Sequence, residues 1–278
     1  MKLNWFESIL YGMFSGLTDI LPVSVQAHQT LMLKFFGING DMDLMNLLVH
    51  GAIAAALYMH CRDSFVRMSR AKALSRVPKA KRKRPLDMRS LMDLSLLKTM
   101  LVPALLGLML YRYSTGLQVN LILLAVLLLI NGIVLYVPQF FATGNKDSRT
   151  LSRVEGLLMG LGGAVSVLPG FSAVGFTTAI GSVCGVERTY CLNMTLIMNF
   201  FLTVGMVAFD VIGIAGNGLG DLSILILLRY LLTAGIAYVS AAFAIRLLRQ
   251  FAENDGYGIF GFYCFGLSLF TFILNLMA

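Results

Sequence analysis

The sequence predicts an all-α polytopic membrane protein, organised as an inverted repeat of two halves, each with a re-entrant helical hairpin followed by three transmembrane helices. Composition is the first observation behind this prediction: 58% of the 278 residues are hydrophobic and only 13% are charged, far from the balance of a water-soluble chain. The second is that two apolar segments, each broken by proline and glycine, resemble each other. The third is that three long apolar runs follow each of these segments.

The two broken segments lie at residues 11–28 and 160–177. Aligned with Pro22 placed on Pro169, they match at a glycine, a leucine and a proline, and Thr30, two residues beyond the first segment, matches Thr177. Proline interrupts the hydrogen bonding of a helix, and lipid offers no partner to the backbone groups that are freed. We therefore expect each segment to fold back inside the membrane, and the two loops to meet near its midplane.

Six apolar runs predict the transmembrane helices, since roughly 20 apolar residues cross the hydrocarbon core of a bilayer. An odd number of spans in each half makes the second half enter the membrane with the opposite polarity. We predict one membrane domain over residues 1–278, with repeat halves at about 1–137 and 154–278. The predicted spans are Leu44–His60, Leu94–Leu110, Val119–Val137, Cys191–Ile214, Leu222–Leu248 and Tyr257–Met277.

Lysine and arginine residues indicate the orientation of the chain. Residues 62–89 hold 11 of the 22 Lys and Arg residues, and loops rich in these residues stay on the cytoplasmic side. We predict a basic cytoplasmic loop at 62–89, with the connections at 112–118 and 215–221 outside. Because much of the net charge of +8 is concentrated between two spans, we expect membrane lipids as partners and no nucleic acid.

Polar residues at the first break are candidates for a site. Asp19 is ionisable within an apolar stretch, where a charge is unfavourable unless it is paired or hydrated. Ser24 and His28 are one helical turn apart, so they can share a helix face. Helices that begin just after Pro22 and Pro169 would direct their N–H groups into the meeting point of the loops, which favours an anionic ligand there.

Two stretches of the sequence carry a resemblance to a known family. Residues 15–28 are S-G-L-T-D-I-L-P-V-S-V-Q-A-H and resemble the pattern Q-G-L-T-E-F-L-P-[IV]-S-S-x-G-H. Residues 169–177 are P-G-F-S-A-V-G-F-T and resemble P-G-x-S-R-S-G-x-T. The chain is thus similar, over nearly its whole length, to the undecaprenyl-diphosphate phosphatase family of the bacitracin-resistance type. The resemblance implies a multi-pass protein of the bacterial plasma (inner) membrane, acting in the lipid-carrier cycle of cell-wall (peptidoglycan) synthesis.

The resemblance also implies which residues form the site. Asp19, Ser24, His28 and Ser172 stand at or beside the catalytic positions of the family. Asp19 would also hold a metal ion, Mg²⁺ or Ca²⁺, if the protein is active. The expected ligand is an isoprenoid lipid phosphate. The residues expected to bind this ligand are Ser15, Gly170, Thr177 and Thr178.

Three departures from the family pattern bear on catalysis. The serine usually assigned as nucleophile is Val25 here, and the arginine expected to grip the diphosphate is Ala173. The serine after that arginine is Val174. Phosphoryl transfer depends on neutralising charge on the transferred group, so the sequence leaves open whether the chain is an enzyme.

Two functions remain. The first is a divergent diphosphatase that binds polyprenyl (undecaprenyl) diphosphate or phosphate at a membrane-embedded site. The second is a translocase that moves the lipid phosphate without hydrolysing it. Arg229 either snorkels outward or replaces the missing arginine as an anion-binding group. A homodimer is compatible with the sequence.

Overall fold

The structure is a computed structural model that describes residues 3–38, 42–111, 120–218, 222–253 and 257–277. These ranges contain helices and no β-strand, apart from an isolated bridge between Lys146 and Val186. The predicted all-α fold class is confirmed. In chain order, the α-helices of these ranges are α1 (Trp5–Ile20), α2 (Val25–Phe35), α3 (Asp43–Ser75), α4 (Met88–Leu108), α5 (Leu121–Tyr136), α6 (Arg153–Ala164), α7 (Ala173–Val183), α8 (Arg188–Asn217), α9 (Ile224–Glu253) and α10 (Gly258–Met277).

Six of these helices are long and apolar enough to cross a membrane: α3, α4, α5, α8, α9 and α10. Each overlaps one predicted span, so the polytopic architecture is confirmed. Many of their large apolar side chains are exposed, among them Leu129 on α5, Val239 on α9 and Phe262 on α10. Such surface is unfavourable in water and expected in contact with lipid. The predicted connection at 112–118 lies outside the described residues, as does part of the one at 215–221.

The boundaries of α3 correct one prediction. The sequence predicts a span that ends at His60 and a loop from 62 to 89, but the helix continues to Ser75. The segment from 61 to 75 contains no proline or glycine and is rich in good helix formers. The first proline after it is Pro78, which cannot continue a helix. With 33 residues, α3 is about 50 Å long, so it extends well beyond the roughly 30 Å of hydrocarbon.

The two broken segments form short helical hairpins. Helices α1 and α2 are separated by residues 21–24, and α6 and α7 by residues 165–172. These four helices have 16, 11, 12 and 11 residues, fewer than the roughly 20 that a spanning helix needs. Each pair turns back on itself, as the interrupting prolines predict.

Helix packing follows a pattern that relates the two halves. Helix α1 packs against α9 and α6 packs against α4, while α3 packs against α8 and α5 against α10. If α1–α5 correspond to α6–α10, the first two pairs exchange and the last two map onto themselves. This pairing supports the inverted repeat, which stays a prediction.

Glycines allow the first helix of each hairpin to approach its partner closely. A Cβ atom on Gly12 would overlap the carbonyl oxygen of Thr233, and one on Gly16 would overlap the carbonyl oxygen of Ala237, both on α9. A Cβ atom on Gly160 of α6 would similarly meet the Met100 carbonyl oxygen on α4. Close contact of this kind stabilises helix association by van der Waals packing, because in lipid there is no hydrophobic driving force between helices.

Candidate functional site

The loops of the two hairpins touch each other. Gly170, in the second loop, donates its backbone N–H to Ser24 Oγ in the first loop at 3.0 Å. Ser24 has φ of 67°, in the left-handed region that non-glycine residues seldom adopt. The same hydroxyl oxygen accepts the N–H of Ala27 at 3.4 Å and thereby caps α2. The first helical residues of α2 and α7 follow these loops directly, so both positive dipole ends lie at the contact.

Asn131 of α5 joins both loops. Its Nδ2 donates to the Pro22 carbonyl oxygen at 3.1 Å, and its Oδ1 accepts the backbone N–H of Ser172 at 3.0 Å. The same Nδ2 lies 3.2 Å from Cys264 Sγ on α10. Asn131 is fully buried, so one amide side chain satisfies backbone groups of both loops that lipid could not satisfy.

His28 is buried beside the first loop and is held by two hydrogen bonds. Its Nδ1 lies 2.8 Å from the Ser24 carbonyl oxygen, and its Nε2 lies 2.7 Å from the Tyr263 hydroxyl. Because a carbonyl oxygen only accepts, Nδ1 carries the proton, and in the neutral ring Nε2 accepts from Tyr263. The ring also stacks between Phe14 and Tyr263. His28 therefore contacts the backbone of Ser24, and its hydrogen bonds do not include the Ser24 hydroxyl.

Asp19 lies near the end of α1, and its Oδ2 accepts from Asn199 Nδ2 of α8 at 3.2 Å. A carboxylate can accept several further hydrogen bonds or bind a cation. Within the described parts of the chain, no group of three or more His, Cys, Asp or Glu side chains is arranged to hold a metal ion. A cation at Asp19 would thus depend on oxygens of a bound ligand, which is how proteins commonly hold Mg²⁺.

The remaining predicted residues divide into one loop residue and several that stabilise the hairpins. Ser172 Oγ accepts the N–H of Gly175 and caps α7 next to the contact. Ser15 Oγ accepts from Gln29 and so joins α1 to α2. Thr177 donates to the Met159 carbonyl oxygen of α6, while Thr178 donates within its own helix. The structure therefore brings Ser24, His28, Gly170 and Ser172 together, and it places the hydroxyls of Ser15, Thr177 and Thr178 in helix packing.

Arg229 lies away from the loop contact. The register that sets Gly12 beside Thr233 puts Ser8 of α1 beside Arg229 of α9, one turn earlier on each helix. Ser8 precedes Ile20, the last residue of α1, by 12 residues, a distance of about 18 Å along a helix. Arg229 therefore does not take the place of the missing arginine at the loops.

Comparison with known proteins identifies the family. The model of the bacitracin resistance protein BacA family matches residues 8–270. The chain belongs to the BacA family. It is 26% identical to an undecaprenyl-diphosphatase of Methanobrevibacter smithii, with 96% of each chain covered. An undecaprenyl-diphosphatase of Thermosipho melanesiensis is also 26% identical, covering 96% of this chain and 98% of the relative. One from Alkaliphilus metalliredigens is 23% identical over 98% of this chain and 99% of the relative.

Three apolar residues that the sequence motifs single out lie at or beside the loops of this BacA-family chain. Val25 is the first residue of α2 and Ala173 the first residue of α7, and both are partly exposed beside the contact. Val174 is 1% exposed and belongs to the main apolar core. The loop contact thus contains the hydroxyls of Ser24 and Ser172 with His28 beside them, and the two partly exposed side chains next to it are aliphatic.

Three residues near the contact were missed by the sequence analysis. Asn131 has a signal that would have found it, because it is an amide within the most apolar of the six candidate spans. Gln26, on the first turn of α2, has a buried Nε2 with no hydrogen-bond partner in the described structure. The contact of Tyr263 of α10 with His28 was not predicted, because it joins residues 235 positions apart.

Proposed function

We propose that the protein binds the phosphate group of a polyprenyl diphosphate or polyprenyl phosphate where the two loops meet, at a head-group site formed by Ser24, Gln26, Gly170 and Ser172. Relatives named undecaprenyl-diphosphatase that match nearly the whole chain support this class of ligand. The isoprenoid tail would lie in the lipid beside the helices. The proposed location is the bacterial plasma membrane.

The observation that carries the proposal is a buried amide donor without a partner among the described residues, on Gln26 at the start of α2, beside two helix N-termini. Two helix N-termini begin there, and each favours an anion through its dipole. Gln26 Nε2 is buried without a hydrogen-bond partner in the described ranges, a state that costs about 1–3 kcal/mol. A phosphate oxygen would satisfy this donor, so an anionic ligand explains both features.

Binding without hydrolysis is the form of the proposal that the side chains favour. The nucleophile and arginine positions are Val25 and Ala173. The Ser24 hydroxyl already accepts two N–H groups, and His28 is not hydrogen-bonded to it. If a divalent cation takes part, Asp19 is the residue that would hold it together with the ligand's phosphate oxygens, and the cation would supply charge neutralisation.

A hydrolysis assay tests this form. We expect purified protein to release no phosphate from a polyprenyl diphosphate above background, with Mg²⁺, with Ca²⁺ or with a chelator. The double variant Val25→Ser, Ala173→Arg should gain release, because it restores a nucleophile and a bidentate phosphate ligand. Val174 stays unchanged in this variant because it is buried in the core.

Phosphate release by the natural chain that is lost in Ser24→Ala would instead show a working diphosphatase. Binding without release in either protein would leave the carrier role, including movement of the lipid across the membrane, as the remaining form of the proposal.

Affinity for polyprenyl phosphate tests the head-group site directly. Gln26→Leu should weaken binding by about tenfold, the effect of losing one hydrogen bond to a charged group. Gln250→Leu is the matched control, because Gln250 is exposed near the end of α9, and it should bind like the natural chain. Equal affinity in the two variants would place the head group elsewhere.

A further inference from the structure

A cavity lies at the end of the second hairpin that is remote from the loop contact. It has a volume of about 160 Å³ and is formed where α5 and α7 end and where α8 and α10 begin. The C-terminal end of α3 and the start of α4 flank the basic segment 62–89, and chain direction puts them on this same side of the molecule. We call this space the basic-side cavity. Its lining residues are Leu135, Pro138, Gln139, Ser182, Arg188 and Tyr257.

Two polar side chains in this lining point to a ligand. Tyr257 is 8% exposed, and its hydroxyl has no hydrogen-bond partner in the described part of the chain. A buried hydroxyl without a partner is unfavourable. Arg188 supplies a guanidinium group to the same cavity, and guanidinium is the cation best suited to bind phosphate oxygens.

The N-terminus of α8 does not itself form the site. Glu187 caps it, since its carboxylate accepts the N–H groups of Thr189 and Tyr190. The acceptor capacity of Glu187 is thereby directed to the helix. The donors in the lining are side chains: the Arg188 guanidinium and the Tyr257 hydroxyl, unpartnered within the described residues, beside the Gln139 amide and the Ser182 hydroxyl.

The size of the cavity limits the ligand to a small group. A single water molecule needs roughly 15 Å³ on the same measure, so 160 Å³ accommodates several waters or one phosphate or diphosphate group. Pockets for drug-sized molecules are larger, about 300–1,000 Å³. An isoprenoid tail would not fit inside.

A narrow crevice continues from this cavity along α5 and α7. It shares four lining residues with the cavity and adds Thr178 and Ala179, but it holds only about 10 Å³. Ser182 and Ser172, at opposite ends of α7, are 10 residues apart, about 15 Å along the helix. The basic-side cavity is therefore separated from the head-group site in this conformation, although the crevice points toward it.

We propose that the basic-side cavity is a second phosphate-binding site, in which Arg188 and Tyr257 bind a phosphate group at the end of the molecule that carries the basic segment. The phosphate belongs either to a lipid head group or to free inorganic diphosphate. This site does not depend on the head-group site at the loops.

Thiol protection tests the proposal in the full chain in nanodiscs. The variant Ser182→Cys, Cys184→Ser places a thiol in the lining and removes the partly exposed native one, while Cys61, Cys191 and Cys264 are buried. Inorganic diphosphate should slow modification of the introduced thiol by a methanethiosulfonate reagent by about tenfold, as expected for a charge-assisted contact. A second arm replaces the diphosphate with polyprenyl phosphate in the nanodisc lipid.

The controls separate this site from other effects. Arg188→Gln and Tyr257→Phe should each remove the protection, and Arg153→Gln, an exposed arginine at the start of α6, should leave it intact. Gln26→Leu should also leave it intact, because that variant disables only the head-group site. Protection by diphosphate assigns a free phosphate and protection by the lipid alone assigns a head group. No protection in either arm, or equal protection after Arg188→Gln, would overturn the proposal.

Discussion

At the scale of single residues, Asn131 is the side chain on which the loop contact depends most. Its amide is hydrogen-bonded to the Pro22 carbonyl oxygen and the Ser172 N–H. Both backbone groups are buried and have no access to water. Removing the amide would leave both groups buried and unsatisfied. Each such group costs about 1–3 kcal/mol.

We therefore predict that Asn131→Ala lowers the free energy of unfolding by about 2–5 kcal/mol, from two unsatisfied groups and a lost side chain. Thermal unfolding in detergent, followed by the loss of helical circular dichroism, would measure this. Leu129→Ala on the same helix is the control, because Leu129 is 44% exposed and faces lipid. A midpoint as high for Asn131→Ala as for this control would contradict the role given to the amide.

At the scale of elements, the position of the first hairpin depends on the α1–α9 contact. Gly16 lies against the backbone of α9, where a methyl group would overlap the Ala237 carbonyl oxygen. Backbone cannot move aside as a flexible side chain can, so the two helices would have to separate. Overpacking of this kind typically costs 1–3 kcal/mol.

Gly16→Ala should therefore destabilise the protein by about 1–3 kcal/mol and disturb the first loop. Gly51→Ala provides the matched control, since nothing lies within 4 Å of a Cβ atom there. At position 51, inside α3, alanine should be neutral or stabilising by up to about 1 kcal/mol. The unfolding midpoints of the two variants are measured in the same detergent. A higher midpoint for Gly16→Ala than for Gly51→Ala would refute the close contact.

At the scale of the whole molecule, an ion pair outside the six spans ties the second hairpin to its neighbours. Lys146 Nζ lies 2.6 Å from Glu155 Oε1 at the start of α6, and the backbone of Lys146 pairs with Gly185 and Glu187 at the α7–α8 turn. The Lys146 ammonium group and then the Ser152 backbone N–H lower the pKa of Glu155 to about 2.

This lowered pKa predicts how stability depends on pH. An unfolded Glu titrates near 4.3, so folding favours the charged form, and the stabilisation is present above that pH and is lost as pH falls from there through about 2. The difference in unfolding midpoint between the natural chain and Glu155→Gln should therefore shrink over this range. The difference in unfolding midpoint between the natural chain and Lys146→Gln should shrink over the same pH range, because Lys146 is the main cause of the lowered pKa of Glu155. A difference that stays constant down to pH 2 would exclude the pair as its source.

The sequence predicted the six spans, the two hairpins and the contact of their loops, because each follows from local hydrophobicity or from a proline at a recognisable place. The end of α3 was predicted wrongly, since hydrophobicity stops at the membrane surface whereas helix propensity continues to Ser75. The roles of Thr177 and Thr178 follow from helix packing, which a motif does not reveal. Asn131 and Tyr263 contact partners more than 100 residues away. Contacts over such distances along the chain cannot be read from the pattern of one sequence.

The bonds of Asn131 also bear on motion. Both loops are hydrogen-bonded to the same amide, which also contacts Cys264 of α10. One side chain thus links the two loops to each other and to the α5–α10 pair. A displacement of one loop relative to the other would therefore have to break one of these hydrogen bonds.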